Sequence, residues 1–239
     1  MKDRRQKTEE SEINLFYMKK KVILGIFILG IICSAGALAI QLPKWFPFQG
    51  QNALDEWDEK VFKGRVIYSV EVKNTDSYLS AYSDSTASGI FYRMVFNPKI
   101  KPMVSWKWKV LRFPDKQVAK GTDNGWIEKD DYAARFYVIF PGFLFSQMKC
   151  IEYVWAKDLA SGVVMSSPYF SSIKIMVVES GEKNKGEWVF EERNIYEDYK
   201  KIFGHLPGKV GGIAIMTDTD NTKSIAEAHY DEVRVGYKK

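Results

Sequence analysis

The stretch Met103-Val-Ser-Trp-Lys-Trp-Lys-Val-Leu-Arg-Phe113 decides the fold class. Side chains of a β-strand point alternately to its two faces, so Trp106 and Trp108 share one face while Lys107 and Lys109 share the other. Facing outward, the two tryptophans would form an aromatic platform for sugar rings. Because lysine prefers solvent, the pattern instead predicts a strand whose tryptophans enter the core.

Similar short apolar runs, separated by turn residues, occupy most of the chain on both sides of this strand. A single helix is predicted over residues 196–203, and Gly204 ends it. About ten strands at short spacing with almost no helix predict an all-β, two-sheet sandwich of jelly-roll type. The other predicted strands are residues 66–72, 78–82, 89–96, 133–140, 151–156, 173–178, 188–193, 210–216 and 226–235.

The positive charge is concentrated at the amino terminus. The chain has 239 residues and a net charge of +5, and residues 1–21 contain seven basic and four acidic side chains, a net of +3. The remainder carries only +2, with its charges interspersed. A nucleic-acid-binding protein clusters its cations to neutralise phosphates, so no nucleic-acid partner is expected.

An apolar run without charge, residues 22–40, follows Lys19, Lys20 and Lys21. Its 19 residues approach the roughly 20 that a helix needs to cross a bilayer. It is either a transmembrane anchor with the lysines on the cytoplasmic side or a signal peptide cleaved near Ala39. Met18 is an alternative start of translation, which would leave residues 1–17 untranslated.

The predicted organisation follows from this segment. Residues 1–21 form a basic cytoplasmic or leader region, 22–40 the apolar helix, 41–56 a linker with Pro43 and Pro47, and 57–239 the sandwich. The domain is expected in the periplasm, either anchored to the inner membrane or released. Cys150 is then the only exported cysteine and is predicted to be a buried apolar side chain.

Two polar segments next to apolar strands are the candidate binding residues. Asp130 and Asp131 lead into a strand that contains Arg135, a charge that needs a partner among apolar neighbours. Asp218, Asp220 and Asn221 follow another apolar run. The alternative for each segment is a solvated turn. If the two segments meet in space, they form one site.

Trp126, flanked by Asn124 and Gly125, is the candidate aromatic side chain that would stack on a sugar. The aspartates would accept hydrogen bonds from hydroxyl groups or hold calcium, whose ligands are oxygen atoms. An EF-hand is excluded, because Lys223 and His229 stand where that loop requires glycine and glutamate. No cofactor is predicted, and calcium stays open.

Other chemistries have weaker support. His229 and Asp231 share a strand face and could bind a transition metal together with Asp218 or Asp220, but one histidine is thin support and no metal site is predicted. No nucleophile elbow, zinc-protease or phosphate-loop motif is present. A glycosidase needs only two carboxyl groups at a suitable distance. Those available by type are Asp131, Glu152, Glu191, Glu192 and Glu232.

Several short motifs together resemble the bacterial exported family called domain of unknown function 3047. They are Trp106-Lys-Trp108-Lys-Val110, Asp130-Asp-Tyr-Ala-Ala-Arg135, Glu192-Arg-Asn194, Asp198-Tyr199, Phe203-Gly204 and Thr217-Asp-Thr-Asp-Asn-Thr222. The resemblance implies an exported β-rich domain and supplies no catalytic residues. The closing residues 230–235 are also similar to the last strand of galactose-binding-like jelly rolls.

The sequence therefore favours a glycan-binding or other ligand-binding module of the cell envelope. The alternatives are a hydrolase or lyase acting on envelope polysaccharide and a purely structural envelope protein. Convergence of Asp131, Arg135 and Asp218 in one groove would favour the enzyme, whereas burial of every candidate tryptophan without a polar pocket would favour the structural role.

Overall fold

A computed structural model describes residues 42–50, 52–73, 76–116, 130–142 and 147–238. Within these ranges the chain forms thirteen strands and one helix. They are β1 (Lys44–Phe46), β2 (Asp58–Lys63), β3 (Ile67–Lys73), β4 (Asp76–Asp84), β5 (Ala87–Phe96), β6 (Met103–Arg112), β7 (Ala134–Phe140), β8 (Lys149–Ala156), β9 (Val164–Ser166), β10 (Ile173–Ser180), β11 (Val189–Asn194), α1 (Ile195–Phe203), β12 (Val210–Asp218) and β13 (Ile225–Tyr237).

The strands form two sheets that pack face to face. Five strands of the six-stranded sheet have the order β11-β6-β13-β4-β3. The sixth, β1, pairs with residues 233–235 of β13, past the residues of β13 that pair with β4. The seven-stranded sheet has the order β2-β5-β12-β7-β8-β10-β9. Its pairs are antiparallel except β8 with β10. This arrangement confirms the predicted two-sheet sandwich.

Strand β6 supplies the centre of the core, as its alternation predicts. Trp106 and Trp108 are fully buried between the sheets, whereas Lys107 lies on the opposite face and forms an ion pair there. The Trp106 ring stacks on Phe136 of the facing sheet, with 4.4 Å between ring centroids. Burial of such large rings dominates core energetics, so this contact holds the two sheets together.

The seven-stranded sheet is covered on both faces, and this determines where a site can form. Every residue of β12 is buried. Alternate residues such as Ile213 and Ile215 enter the main core, while Ala214 packs in a second cluster on the outer face. Here the outer face of each sheet means the face turned away from the other sheet. Side chains in the middle of this face, such as Ala214 of β12 and Glu152 of β8, are therefore shielded from water, whereas Arg93 and Val95 of β5 on the same face are exposed.

Helix α1 begins and ends close to the predicted boundaries. The Asn194 Oδ1 accepts a hydrogen bond from the Glu197 backbone N–H at 3.1 Å, which caps the amino terminus. Gly204 follows the last turn with a φ of 75°, a left-handed conformation that glycine adopts without a steric penalty. Tyr199 packs its ring on Phe140 and so fixes the helix against the sandwich.

The predicted linker over residues 41–56 is partly wrong. Residues 44–46 form β1, in which Trp45 pairs with Arg234, and Phe46 is buried in the main core. The sandwich therefore begins before residue 57. Strands β2, β9 and β1 were not predicted, because each is short or rich in charged residues.

Cys150 is buried, as predicted, and burial raises the pKa of its thiol. The predicted apolar helix over residues 22–40 lies outside the described residues. Within the described ranges, no helix has the length and apolar character required to span a bilayer.

Candidate functional site

Arg135 lies at the centre of the outer face of the seven-stranded sheet. Strand β7 alternates, so Phe136 and Val138 face the core and Arg135 faces outward. The neighbouring strands place Asp218 of β12 on one side and Glu152 of β8 on the other. One guanidinium group is thus held between carboxyl groups from both adjacent strands.

The guanidinium contacts are short and buried. The Arg135 Nη1 lies 2.7 Å from the Glu152 Oε1, and Nη2 lies 2.7 Å from the Asp218 Oδ1. Nη2 also donates to the backbone carbonyl oxygen of Asp130, and the Tyr132 ring lies 4.8 Å from the guanidinium carbon. Charge-assisted hydrogen bonds of this kind fix the side chains that make them.

The two polar segments meet at this point. Asp131 accepts hydrogen bonds from the Thr222 backbone N–H at 2.6 Å and from the Asn221 Nδ2 at 3.0 Å. The Asp218 Oδ1 accepts from the Tyr132 backbone N–H at 3.1 Å. Residues 130–135 and 217–222 therefore form one cluster, which we call the Arg135 site. The solvated-turn interpretation is wrong for both segments, since their carboxyl groups are buried.

Electrostatics set the protonation of this cluster. Burial by itself would lower the pKa of Arg135, but Asp218, Tyr137 and Glu152 together raise it well above its usual value. Burial and the nearby Asp220 raise the pKa of Asp131. Arg135 therefore stays charged, while the Asp131 carboxyl group holds a proton more readily than it would in water.

The two carboxyl groups beside Arg135 experience opposing effects. Burial raises the pKa of Glu152 and of Asp218, and the Arg135 charge lowers it in both cases. Lys116 is a second nearby cation, and burial together with Arg135 lowers its pKa to about 8. Such shifts are typical of functional sites, although structural ion clusters also produce them.

The Arg135 site borders a cavity of about 40 Å³. A water molecule needs about 10–15 Å³ of such space, so the cavity accommodates a few water-sized groups and not a sugar ring. Its polar lining includes Asp130, Glu152, Tyr137 and Ser167, and its apolar lining includes Phe62, Tyr169, Ile173 and Met216.

Three carboxyl groups approach each other closely enough to share a cation. Oxygen atoms of Asp131, Asp218 and Asp220 lie within 4.8 Å of one another, and the three residues are the only such group of potential ligands among the described residues. Oxygen-only donors suit calcium better than zinc. A calcium ion would share Asp131 and Asp218 with the N–H groups that already donate to them.

The predicted alternative with His229 is wrong. His229 lies on the outer face of the six-stranded sheet, stacked on Tyr78 with 4.4 Å between ring centroids. Asp218 lies on the outer face of the other sheet, so the core separates the two side chains. The histidine therefore cannot complete a metal site with Asp218.

Of the remaining candidates, Glu192 and Glu232 lie on the outer face of the six-stranded sheet beside Arg234. Trp126 lies outside the described residues. Glu152 was named only as one carboxylate by type, yet it contacts Arg135. The sequence pattern that could have identified Glu152 is the one that identified Arg135, namely a charged residue inside an otherwise apolar strand.

A model of the family described as "Protein of unknown function (DUF3047)" matches residues 55–234. The chain belongs to this family. The match confirms the resemblance seen in the sequence, and it includes both segments of the Arg135 site. No curated protein matches the sequence.

Solved structures with partial similarity include carbohydrate-active proteins. A cellulase derived from Cel12A of Rhodothermus marinus has 8% identity and a TM-score of 0.44, covering 75% of this chain and 96% of its own. The family 30 carbohydrate-binding module from Clostridium thermocellum has 6% identity and a TM-score of 0.41, covering 77% and 92%. The xyloglucanase domain of NopAA from Sinorhizobium fredii, solved with cellobiose, has 12% identity and a TM-score of 0.44, covering 76% and 93%. The sandwich assignment rests on the strand pairing of this chain, and no function follows from these similarities.

Proposed function

We propose that the protein is an exported glycan-binding β-sandwich and that the Arg135 site receives a hydroxyl-bearing group of the ligand. The observation that carries this proposal is the convergence of two distant polar segments on Arg135, next to a small cavity with polar and aromatic walls. Binding sites combine apolar walls with a few fixed polar groups in this way.

The energetics support a role beyond folding. A buried ion cluster adds little net stability, because apolar side chains of similar volume often replace it without loss. Here Arg135, Glu152 and Asp218 are buried in the middle of the sheet, on the face where Ile139, Cys150 and Ala214 form an apolar cluster. Hydrogen bonding to a ligand would account for these buried charged side chains, which packing alone does not require.

The cavity size restricts what enters it. A hydroxyl or hydroxymethyl group fits in about 40 Å³, and it can donate to Glu152 while accepting from the Tyr137 hydroxyl. The sugar ring itself would remain at the rim of the cavity. Trp126, which lies outside the described residues, is the aromatic side chain expected from the sequence to stack on a sugar. Asp130, Asp131, Asp220 and Asn221 would hold the rim in place, with or without calcium.

Isothermal titration of the full chain against a panel of envelope oligosaccharides tests the proposal, with calcium and with a chelator. Glu152→Gln removes one acceptor and should weaken binding about tenfold, the effect of about 1.4 kcal/mol. Glu197→Gln on the exposed side of α1 is the matched control and should bind as the wild type does. The absence of heat with every oligosaccharide in both buffers would exclude this function.

Export is the second part of the proposal. The support is Lys19–Lys21 followed by the uncharged residues 22–40. Cell fractionation and amino-terminal sequencing of the isolated protein distinguish the two forms, since a cleaved chain begins after Ala39 and an anchored chain keeps the apolar segment. Recovery of an uncleaved chain in the cytoplasm would reject both the cleaved and the anchored form, and with them export.

A hydrolase or lyase acting on envelope polysaccharide is the second candidate. It is favoured by the close approach of Glu152 and Asp218 to one guanidinium group, with burial raising the pKa of both carboxyl groups. Incubation with the same polysaccharides should then release new reducing or unsaturated ends, and Glu152→Gln should abolish the release. Binding of a polysaccharide without release of new ends supports the glycan-binding function instead.

A further inference from the structure

The outer face of the six-stranded sheet contains an open groove of about 540 Å³. It lies on the opposite side of the sandwich from the Arg135 site. Two large aromatic side chains stand exposed at it, Trp45 at 56% and Phe190 at 55% of their full surface. Isolated exposed apolar residues are common, but two flanking one polar groove indicate a binding surface.

The strand register builds this groove. Trp45 of β1 pairs with Arg234 of β13, Arg234 pairs with Ser105 of β6, and Ser105 pairs with Glu192 of β11. Directly paired residues lie side by side on one face, so these four side chains form a row across the sheet. The row spans about 14 Å, three strand spacings of about 4.8 Å.

The depth of the groove comes from the small side chain in the middle of the row. Ser105 is only 4% exposed and forms the floor, while the larger neighbours rise on both sides. Phe190 lies two residues before Glu192 on the same face of β11, at the opposite end from Trp45. The groove therefore runs across the strands from one aromatic ring to the other.

The charges in the groove balance. Among the lining residues, Glu192 and Glu232 are acidic and Arg234 is basic, and Lys107, which lies beside the groove, neutralises Glu232. Lys107 pairs with Glu232 at 2.7 Å. A nucleic acid or another polyanion needs a cationic surface and a polycation an anionic one, so a neutral occupant matches this groove.

The groove also disfavours a peptide strand. A peptide recognised by strand addition pairs with the unpaired backbone groups of a sheet edge. The floor here belongs to β6 and β13, which are interior strands whose backbone groups are engaged on both sides. Recognition must use side chains alone, through aromatic faces and through polar groups such as the Glu192 carboxylate, which accepts from the Tyr237 hydroxyl at 3.0 Å.

We propose that this groove binds a neutral oligosaccharide chain lying across the strands, with sugar rings stacked on Trp45 and Phe190. Sugar rings offer apolar C–H faces to the aromatic side chains, and their hydroxyl groups can exchange hydrogen bonds with Glu192, Arg234 and Ser105. The inference rests on the proposed glycan-binding function for the class of ligand, and it adds a second surface that recognises the length of a chain.

Affinity electrophoresis tests this proposal with the full-length chain in a non-ionic detergent. The gels contain hydroxyethylcellulose, mixed-linkage β-glucan or galactomannan, with polygalacturonate as the anionic comparison. Retardation is expected in at least one neutral gel. Trp45→Ala and Phe190→Ala should each weaken it at least tenfold, and the double variant should abolish it. Leu206→Ala, which removes an apolar side chain 64% exposed elsewhere on the surface, should behave as the wild type.

The outcomes separate this groove from the Arg135 site. Binding that survives Trp45→Ala and Phe190→Ala but is lost in Glu152→Gln overturns the groove and leaves the proposed function standing. Absence of retardation in every neutral gel overturns the groove proposal alone, because the titrations with envelope oligosaccharides decide the Arg135 site independently. Retardation only by polygalacturonate also overturns the groove proposal, since it identifies an anionic ligand as the occupant. A change of oligomeric state in the double variant, measured by sedimentation, does the same, since it identifies a second copy of the chain as the occupant.

Discussion

Replacing Arg135 with methionine removes the guanidinium group that links three strands of the seven-stranded sheet. Glu152 and Asp218, each 2.7 Å from the guanidinium in the wild type, are then left buried without their cation. Methionine keeps most of the length of the side chain, so the expected loss comes from the unpaired carboxyl groups. Breaking a buried ion pair in this way costs about 3–5 kcal/mol.

The loss should depend on pH in a defined direction. Without Arg135, burial raises the folded-state pKa of both carboxyl groups further above the ordinary values of 4.5 for Glu152 and 3.8 for Asp218. A carboxyl whose folded-state pKa is raised destabilises the fold fully above that pKa and less as the pH falls toward the unfolded value. The difference in stability between wild type and variant should therefore narrow from pH 7.5 to pH 5.

Urea unfolding followed by tryptophan fluorescence at both pH values measures this difference. At pH 7.5 we expect the variant to lose about 4 kcal/mol, equivalent to about 8–16 °C in Tm for a domain of this size. Arg93→Met is the matched control, because Arg93 pairs with Asp58 at 3.2 Å on an exposed surface. That pair should contribute less than about 1 kcal/mol. A loss below about 1 kcal/mol for Arg135→Met, or an equal loss at both pH values, would refute the reasoning.

Two further changes test other contacts. The Tyr230 hydroxyl, on β13, donates to the Met216 carbonyl oxygen at 2.8 Å in the other sheet and accepts from the Arg135 backbone N–H. Tyr230→Phe should lower the free energy of unfolding by about 1–3 kcal/mol, the effect of unsatisfied buried partners, and no change in urea unfolding would contradict this. Burial and the nearby Lys109 lower the pKa of His229 to about 4, against an opposing effect of Glu71. The unfolded state therefore binds a proton at His229 below pH 6.5 that the folded state does not bind until about pH 4. The wild type should lose stability relative to His229→Gln as the pH falls from 6.5 to 4. Parallel pH profiles of unfolding free energy for the two proteins would contradict this.

The local pattern of the sequence predicted most of the fold because strand alternation and helix ends are encoded by neighbouring residues. The period of two in β6 predicted the buried tryptophans, and Gly204 predicted the end of α1. Strand β1 escaped this reasoning, because Lys44–Phe46 is too short to show a period and is stabilised by its pairing with β13, nearly 190 residues later in the chain.

The candidate site divides in the same way. A charged residue in an apolar strand identified Arg135 from the sequence, and the acidic residues near it were recognised as candidates. Their partnership depends on the order β12-β7-β8, which no local pattern specifies. The same limit produced the wrong grouping of His229 with Asp218. Strand alternation shows which residues of one strand share a face, but it does not show whether faces of two different strands lie on the same side of the sandwich.

By itself, the sequence determined the all-β class, the family, the inward direction of Trp106 and Trp108, and the polar segments worth testing. The tertiary structure alone decided that residues 130–135 and 217–222 share one buried cluster, and that Trp45 and Phe190 border a groove on the opposite face. Alternation and turns act between neighbours along the chain, whereas a site is made by side chains that meet only when distant strands pair in a particular order and register.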